Sequence, residues 1–551
     1  VRRLFAVLLV ASTALANEVS VHSLQSGSPT GPTPVWDHGI HGEGQIVAVI
    51  DTGVDYNSCY FAEPDNAPPP FNTGSPNGGL DWENVDASRR KIIAYDFLYS
   101  CDQYPNAPGC DAPFAAGALD NQGHGTHAAG AILGDKGAPI VHDYGDAIAP
   151  AAKLVVQDAG FRSSGDNCTQ LTGVGCPAKL LPILEQAYKQ GARIHSNSWG
   201  DRQGVPNGVP AVPTANYSQS ARDVDAFVWE HPDSLVLFNT GNWSATSNSD
   251  PPLSSLSAPG VAKNTIQVGG SRGFPDDDAS ISNITLFGPS RDGRIKPDLI
   301  GPASVLAADM DFDQNPATCD ITRQPGTSFA SPTIAGAAVL VRQYYTDGFY
   351  PSGVATRANG FTPSAALLKA TLIAAARPAT IRRVGTSGSK FALPTPSYEQ
   401  GWGFPVLDNA LYFPGDAAKL RVVDVPLSAG LTEGESATIR VRAGAGAPLR
   451  VVLVWTDPPG VPRSVNDTTP ELVNDLDLRI TISGTTYFGN GPSPDRLNNV
   501  EAVLLAQPTA GTYDITVAAH HLGFGPRQSY ALVVSGDIST VTNARKRAVR
   551  H

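Results

Sequence analysis

The sequence predicts a doubly wound α/β layer built on a mainly parallel sheet, followed by an all-β sandwich or jelly roll. Two observations carry this. From about Gly42, short apolar or β-branched runs alternate with stretches of helical period, the pattern of central parallel strands joined by crossover helices. Near Pro414 the helical periods stop, and alternating apolar segments divided by Gly, Pro and Asn turns take over, as in antiparallel sheets. A chain of 551 residues exceeds what one hydrophobic core organises, so a division into domains is expected.

In chain order, Gln45–Asp51, Lys153–Gln157, Arg193–Asn197, Ser234–Asn239 and Thr265–Gly269 read as strands. Ala178–Lys189, Ala221–Glu230, Ser331–Tyr345 and Pro363–Ala376 read as helices between or after them. The region from Cys59 to Leu119, with Pro68-Pro69-Pro70 and Gly78-Gly79, reads as an elaborated surface insertion. Strands of the β region are Ala437–Val441, Leu449–Trp455, Leu476–Ile482, Ala502–Leu505 and Tyr513–Ala518. The expected boundaries are 1–16 for a leader, 17–34 for a short N-terminal segment and 35–415 for the α/β domain. The β domain is expected at 420–536 and a basic disordered tail at 537–551.

Arg2 and Arg3, the apolar stretch Leu4 to Val10, and Ala14-Leu15-Ala16 before Asn17 have the three parts of a secretory signal. An extracellular location is therefore expected. The six cysteines, Cys59, Cys101, Cys110, Cys168, Cys176 and Cys319, suit disulfides in an exported chain. Cys101 with Cys110 and Cys168 with Cys176 would close short loops and leave Cys59 for Cys319, one of fifteen pairings open to six cysteines. No spacing is C-x-x-C, which argues against zinc or a redox dithiol. A formal charge of -12 argues against general affinity for nucleic acid or an anionic membrane. The basic run Arg545, Lys546, Arg547 and Arg550 reads as a solvated tail.

Three short blocks carry chemistry: Asp51-Thr52-Gly53-Val54-Asp55 after the first strand, Gly123-His124-Gly125-Thr126-His127-Ala128-Ala129-Gly130, and Gly326-Thr327-Ser328-Phe329-Ala330-Ser331-Pro332 opening an Ala-rich helix. Singly, each has a plain reading as turn, metal-pair half or helix cap. Together they supply what acyl transfer needs: a hydroxyl nucleophile, an imidazole base and a carboxylate that fixes the imidazole tautomer. In this order, Asp then His then Ser, the blocks resemble the subtilase family of serine proteases over roughly Val35 to Phe413.

The resemblance implies that Asp51 orients His124, that His124 acts as base and then acid, and that Ser328 attacks the scissile carbonyl of a peptide. His127 is then structural. Asn239-Thr240-Gly241-Asn242 looks like the segment that supplies the oxyanion-hole amide. The Gly-Asn pair favours Asn242 over Asn239, and the sequon Asn242-Trp243-Ser244 then reads as accidental, because a buried catalytic amide could not carry a glycan. Asn167, Asn216, Asn283 and Asn466 head further sequons. Ser198, Trp199 and Gly200 look like the family's substrate-binding strand edge, where a peptide backbone would pair. Phe329 stands where the family commonly has Met beside the nucleophile, so activity is expected to survive mild peroxide; the single Met is Met310. The stretch from Asn17 to Asp51 is too short for the folded propeptide of many secreted subtilases, and none is expected within it.

Leu472-Val473-Asn474-Asp475-Leu476-Asp477-Leu478 and Asn498-Asn499-Val500-Glu501, with Val452–Trp455, resemble the jelly-roll domain of oxidatively stable alkaline subtilases. Asn474, Asp475, Asp477, Asn498 and Glu501 are candidate ligands for a structural calcium, with turn chemistry and strand capping as the equal alternative. No cofactor is expected for catalysis. Protein and peptide substrates and a monomer are expected, with no nucleic acid or membrane partner. The rivals are a catalytically silent scaffold used for binding, and an esterase, which would be expected to carry G-x-S-x-G where this chain has Gly-Thr-Ser-Phe-Ala.

Overall fold

The computed structural model describes residues 17–548 apart from 74–81, 99–119, 121, 138–142, 161–179, 201–214, 244–249, 273–279, 311–318, 383–388 and 544–546. Eight parallel strands form the central sheet: β1 (Ile46–Asp51), β2 (Phe71–Thr73), β3 (Ile92–Phe97), β4 (Lys153–Asp158), β5 (Ile194–Asn197), β6 (Leu235–Asn239), β7 (Ile266–Ser271) and β8 (Leu299–Pro302). Their spatial order is β2-β3-β4-β1-β5-β6-β7-β8. The strands are buried because both faces are covered, and mostly apolar for that reason; β1, for example, is buried from Val47 to Asp51. From β1 the chain passes to the sheet edge at β2, returns inward through β3 to β4 beside β1, and then crosses to β5 on the other side of β1. Ligands of such sheets sit outside the strand carboxyl ends at this switch point, and Asp51 ends β1.

Around the sheet lie α1 (Asn17–Ser26), α2 (Pro34–Asp37), α3 (His124–Leu133), α4 (Leu180–Lys189), α5 (Gln219–Glu230), α6 (Thr327–Thr346) and α7 (Ala365–Ala375). α3 packs on α6, and α4 on α5. Ser218 caps α5 by accepting Ala221 N–H, and Ser364 caps α7 by accepting Leu367 N–H. An antiparallel hairpin, β9 (Ser304–Ala308) with β10 (Ile321–Pro325), packs against α3 and runs straight into α6. No helix among the described residues is long and apolar enough to cross a membrane.

Beyond residue 415, a four-stranded antiparallel sheet (Lys419–Val425, Tyr530–Gly536, Leu449–Val454, Val500–Leu505) faces a six-stranded one that includes Glu435–Ala443, Asn474–Ile482 and Gly511–Leu522. Val451, Leu453, Trp455, Leu476, Leu478 and Ile480 fill the space between them. The alternate residues Val452, Val454, Val500, Ala502, Ala531 and Val533 join the core of the α/β domain instead, where α7 packs on the four-stranded sheet. That sheet is thus covered on both faces. The seam also holds a fully buried ion pair, Lys263 with Asp457. Lys263 Nζ donates further to Pro458 O and Glu471 O, so its remaining protons are satisfied, as a buried ammonium requires.

Three expected boundaries shift. Residues 17–34 are not a separate segment: Val19, Val21 and Leu24 are buried, and Gln25 Oε1 accepts the amides of Val35 and Trp36. The region from Cys59 to Leu119 is not a surface insertion throughout, because β3 is buried along its whole length and β2 and β3 extend the sheet; its Pro and Gly content hid an ordinary apolar strand. Nor is the tail disordered from 537, since Ile538–Asn543 pairs with Glu435–Ala443 and Arg547–Ala548 pairs with Glu435 and Ser436. Of the leader nothing lies within the described residues. Cys59 is bonded to Cys319, whereas Cys101, Cys110, Cys168 and Cys176 fall outside them.

Candidate functional site

The three sequence blocks converge at the carboxyl ends of β1, β5 and β6. Asp51 is buried, and its Oδ1 accepts Thr52 N–H at 2.8 Å and a hydrogen bond from His124 Nδ1 at 2.6 Å. An ionised carboxylate only accepts, so Nδ1 carries the proton and Nε2 keeps its lone pair. His124 opens α3 with 26% of its side chain exposed. Burial disfavours its cation, but the Asp51 charge and hydrogen bond, with Asp120 behind them, outweigh burial and raise the His124 pKa above the ordinary imidazole value. His127 is fully buried, edge-on to Phe329 at 4.4 Å. Desolvation and then the neighbouring His124 push its pKa down to about 3, which keeps it neutral. The two histidines thus differ in surroundings: His124 is bonded to Asp51, and His127 is enclosed beside Phe329.

Ser328 lies in the first turn of α6, where unpaired amides and the helix dipole favour negative charge. Its Oγ donates to Ser198 O at 3.3 Å and has Asn239 Nδ2 at 3.3 Å. In return, Ser198 Oγ donates to Ser328 O at 2.6 Å. Pro332 explains that second bond: without an N–H it cannot serve the carbonyl four residues earlier. The Ser198 hydroxyl supplies the missing donor and ties the Ser328 backbone to the end of β5.

Asn242 and Asn239 both bond to this turn. The exposed Asn242 accepts Thr327 N–H and Thr327 Oγ1, both at 2.9 Å. A backbone N–H can only donate, so the atom it meets is Oδ1, and the Nδ2 donors of Asn242 point elsewhere. The buried Asn239 spends its Nδ2 on the Thr327 and Ser328 hydroxyls. The sequence offers Asn239 as a competitor of Asn242 for the amide, and the fold puts it on the Ser328 hydroxyl. Burial gives no reason for the Asn242 sequon to go unused, since the residue is exposed and the bonds to α6 engage its Oδ1. Asn216 is buried with Nδ2 bonded to Arg463 O, while Asn283 and Asn466 are exposed, and Asn167 lies outside the described residues.

Of the expected substrate edge, Trp199 turns its ring into the core against Phe238, 5.3 Å away. Gly200 has Ser257 Oγ only 2.5 Å from where a Cβ would sit. Any contribution of Trp199 and Gly200 to peptide binding therefore belongs to their backbone. Met310 is buried, its Cβ 3.4 Å from the Cβ position of Gly123, next to His124.

The calcium candidates do not converge on a metal. Asn474 uses both ends of its amide on Phe524 and Gln528. Asn498 Oδ1 accepts Ile295 N–H, and Glu501 Oε2 accepts Leu478 N–H. Asp475 and Asp477 are both paired to Arg496. Among the described residues no three acidic, His or Cys side chains are grouped to hold a metal ion. Burial raises the Asp475 pKa to about 7, against the pull of Arg496 and with the push of Asp477 and Asp495. Burial, with the charges of Asp495, Asp477 and Asp475, raises Glu501 as well, so Arg496 alone does not balance this cluster.

A carboxylate-bound imidazole at the start of α3 and a serine in the first turn of α6 lie at the switch point of a parallel α/β sheet, with the His124 ring 5.2 Å from that of Phe329, next to the serine. The chain belongs to the subtilase family, whose model matches residues 42–403. It is 27% identical to the serine protease/ABC transporter B family protein tagA of Dictyostelium discoideum, over 94% of this chain and 32% of that protein. It is also 27% identical to the serine protease AprX of Bacillus subtilis (strain 168), over 41% of this chain and 50% of that one. The chain thus spans about a third of the length of the first of these curated relatives. Among solved structures, the serine protease of Aeromonas sobria overlaps with a TM-score of 0.40 at 15% identity, covering 95% of each chain.

Proposed function

We propose that the chain is an exported serine endopeptidase that cleaves proteins through an acyl-enzyme. The bond between Asp51 Oδ1 and His124 Nδ1 at 2.6 Å carries this reading, because it leaves Nε2 as the base for a serine on the adjacent helix turn. His124 removes the Ser328 proton as Oγ attacks the scissile carbonyl, and Asp51 stabilises the imidazolium that forms. His124 then gives that proton to the leaving amine, and a water repeats the cycle on the acyl-enzyme. The free Nδ2 donors of Asn242, with the first-turn amides of α6, receive the developing oxyanion. The backbone after β5 holds the substrate as an added strand.

No cofactor takes part. Export is supported by the leader-like residues 1–16 and by the Cys59–Cys319 bond, which suits an oxidising compartment. Protein substrates and a monomeric state belong to the same proposal. Casein digestion and a peptide-library cleavage profile test it: the wild type cuts and His124→Ala does not. A correctly folded wild type that cuts neither casein nor the library would favour the silent scaffold.

A further inference from the structure

Asp51 and His124 come from different parts of the chain, β1 and α3, and catalysis at this site needs them held to a fraction of an ångström. The structure shows what holds them. Asp120 is fully buried, and five donors surround its carboxylate. Oδ1 accepts Thr52 Oγ1 at 2.8 Å, Gln122 N–H at 3.0 Å and Gly123 N–H at 2.9 Å. Oδ2 accepts Thr126 N–H at 2.8 Å and Thr126 Oγ1 at 2.5 Å. Two of these donors are amides at the start of the histidine helix; Thr52 directly follows Asp51.

The two hydroxyls extend the connection. Thr52 Oγ1 also accepts Gly125 N–H at 2.9 Å, and Thr126 Oγ1 accepts Asp55 N–H at 2.9 Å. Each threonine thus bridges the Asp51 loop and α3 while donating to Asp120. The Asp120 backbone pairs with Gly53 as well. Only a glycine fits at position 125, because a Cβ there would stand 2.0 Å from Gly53 O and 3.0 Å from Asp51 Cβ. The two segments meet at backbone contact, with Asp120 on their seam.

We propose that Asp120 is a positioning residue that locks the Asp51 loop to the first turn of the His124 helix. It acts through Thr52 and Thr126, and it touches neither substrate nor the reacting atoms. An N-cap alone would need only the bonds to Gly123 and Thr126; the bond to Thr52 is the one that serves the site. All five partners are donors, so the ionised carboxylate is the form that fits. Burial opposes that form and raises the Asp120 pKa to about 6, against the pull of Thr126, Gln122 and Thr52. The titratable groups around His124 are Asp51, Asp120 and His127.

This inference rests on the proposed function, and its test separates the two. Thr52→Val removes the bonds of Thr52 to Asp120 and to Gly125 N–H and leaves those of Asp120 to Gln122, Gly123 and Thr126 in place. It should lower kcat by about 10²-fold, the scale of a misplacement of roughly 1 Å, with KM unchanged. Thr52→Ser, which keeps the hydroxyl, should restore kcat. Asp120→Asn should lower kcat in the same way and move the acid limb of kcat/KM to lower pH, since a negative charge near His124 is lost. A wild-type kcat in Thr52→Val, or an Asp120→Asn whose only defect is a lower melting temperature, would overturn the proposal. If Asp120→Asn does not fold, the Thr52 pair decides alone. A wild type without peptidase activity would instead refute the proposed function.

Discussion

Replacing Cys59 and Cys319 by Ser opens a covalent loop whose ends lie 260 residues apart in sequence. In the chain-entropy description, closing a loop of that length removes about 19 cal/mol/K from the unfolded ensemble, or about 5.6 kcal/mol at 25 °C. For a unit of roughly 400 residues, with an unfolding entropy of about 2.1 cal/mol/K per residue, that corresponds to a fall of about 7 °C in melting temperature. The bond joins the loop that follows Asp51 to the segment just before β10, which leads into α6. None of the described hydrogen bonds of Asp51, His124 or Ser328 passes through either cysteine, so activity at 25 °C should be nearly wild type. Scanning calorimetry of the double variant in a Ser328→Ala background, where self-digestion cannot interfere, measures the shift. A fall below about 1 °C would refute the entropic reasoning, because the loss would then be under about 1 kcal/mol.

Activity should rise with pH as His124 loses its proton, with a midpoint above the ordinary imidazole value of about 6.5, because Asp51 and Asp120 favour the cation. Asp51→Asn should lower kcat by about 10⁴ and shift that midpoint down; pH–rate profiles of both proteins check the sign. Asn242→Ala should cost about 10²–10³ in kcat with little change in KM, and Asn239→Ala should cost less; the reverse order would move the oxyanion role to Asn239. Heat inactivation should proceed at the same rate with and without chelator, while Arg496→Gln should shorten the half-life by leaving Asp475 and Asp477 facing each other. A chelator-sensitive half-life would restore a metal to the β domain.

The five apolar runs that the sequence marks as strands are β1, β4, β5, β6 and β7, each within about two residues of its expected ends. Most were legible because burial on both faces favours apolar residues along the strand, although β5 carries His195, Ser196 and Asn197. β3 has the same character, but the Pro- and Gly-rich stretches around it hid it. α3 went unseen as a helix because its glycines, Gly125 and Gly130, have low helical propensity and serve close packing instead: a Cβ on Gly130 would meet Ala308 at 3.0 Å. The strand Ile538–Asn543 hid beside a basic run that reads as solvent-facing.

Of the site, the roles that follow from chemistry were legible, and the ones that depend on distance were not. Asp51 and His124 stand out because few other arrangements use those types in those blocks. Asp120 does not, because its meaning comes from Thr52, 68 residues away in sequence. Ser198 looked like part of a binding edge, and only the missing N–H of Pro332 shows why its hydroxyl turns to the nucleophile's carbonyl. The acidic and amide residues of the β domain had the right types for calcium. Arg496, 19 residues from Asp477 in sequence, lies between them in space.

Reaction with a fluorophosphonate, followed by mass mapping of the adduct, tests the central claim most directly. The wild type should acquire one adduct, on Ser328, at a rate that follows the deprotonation of His124, and Ser328→Ala should acquire none. An adduct on another serine, undiminished labelling of Ser328→Ala, or a folded wild type that resists the reagent would contradict it.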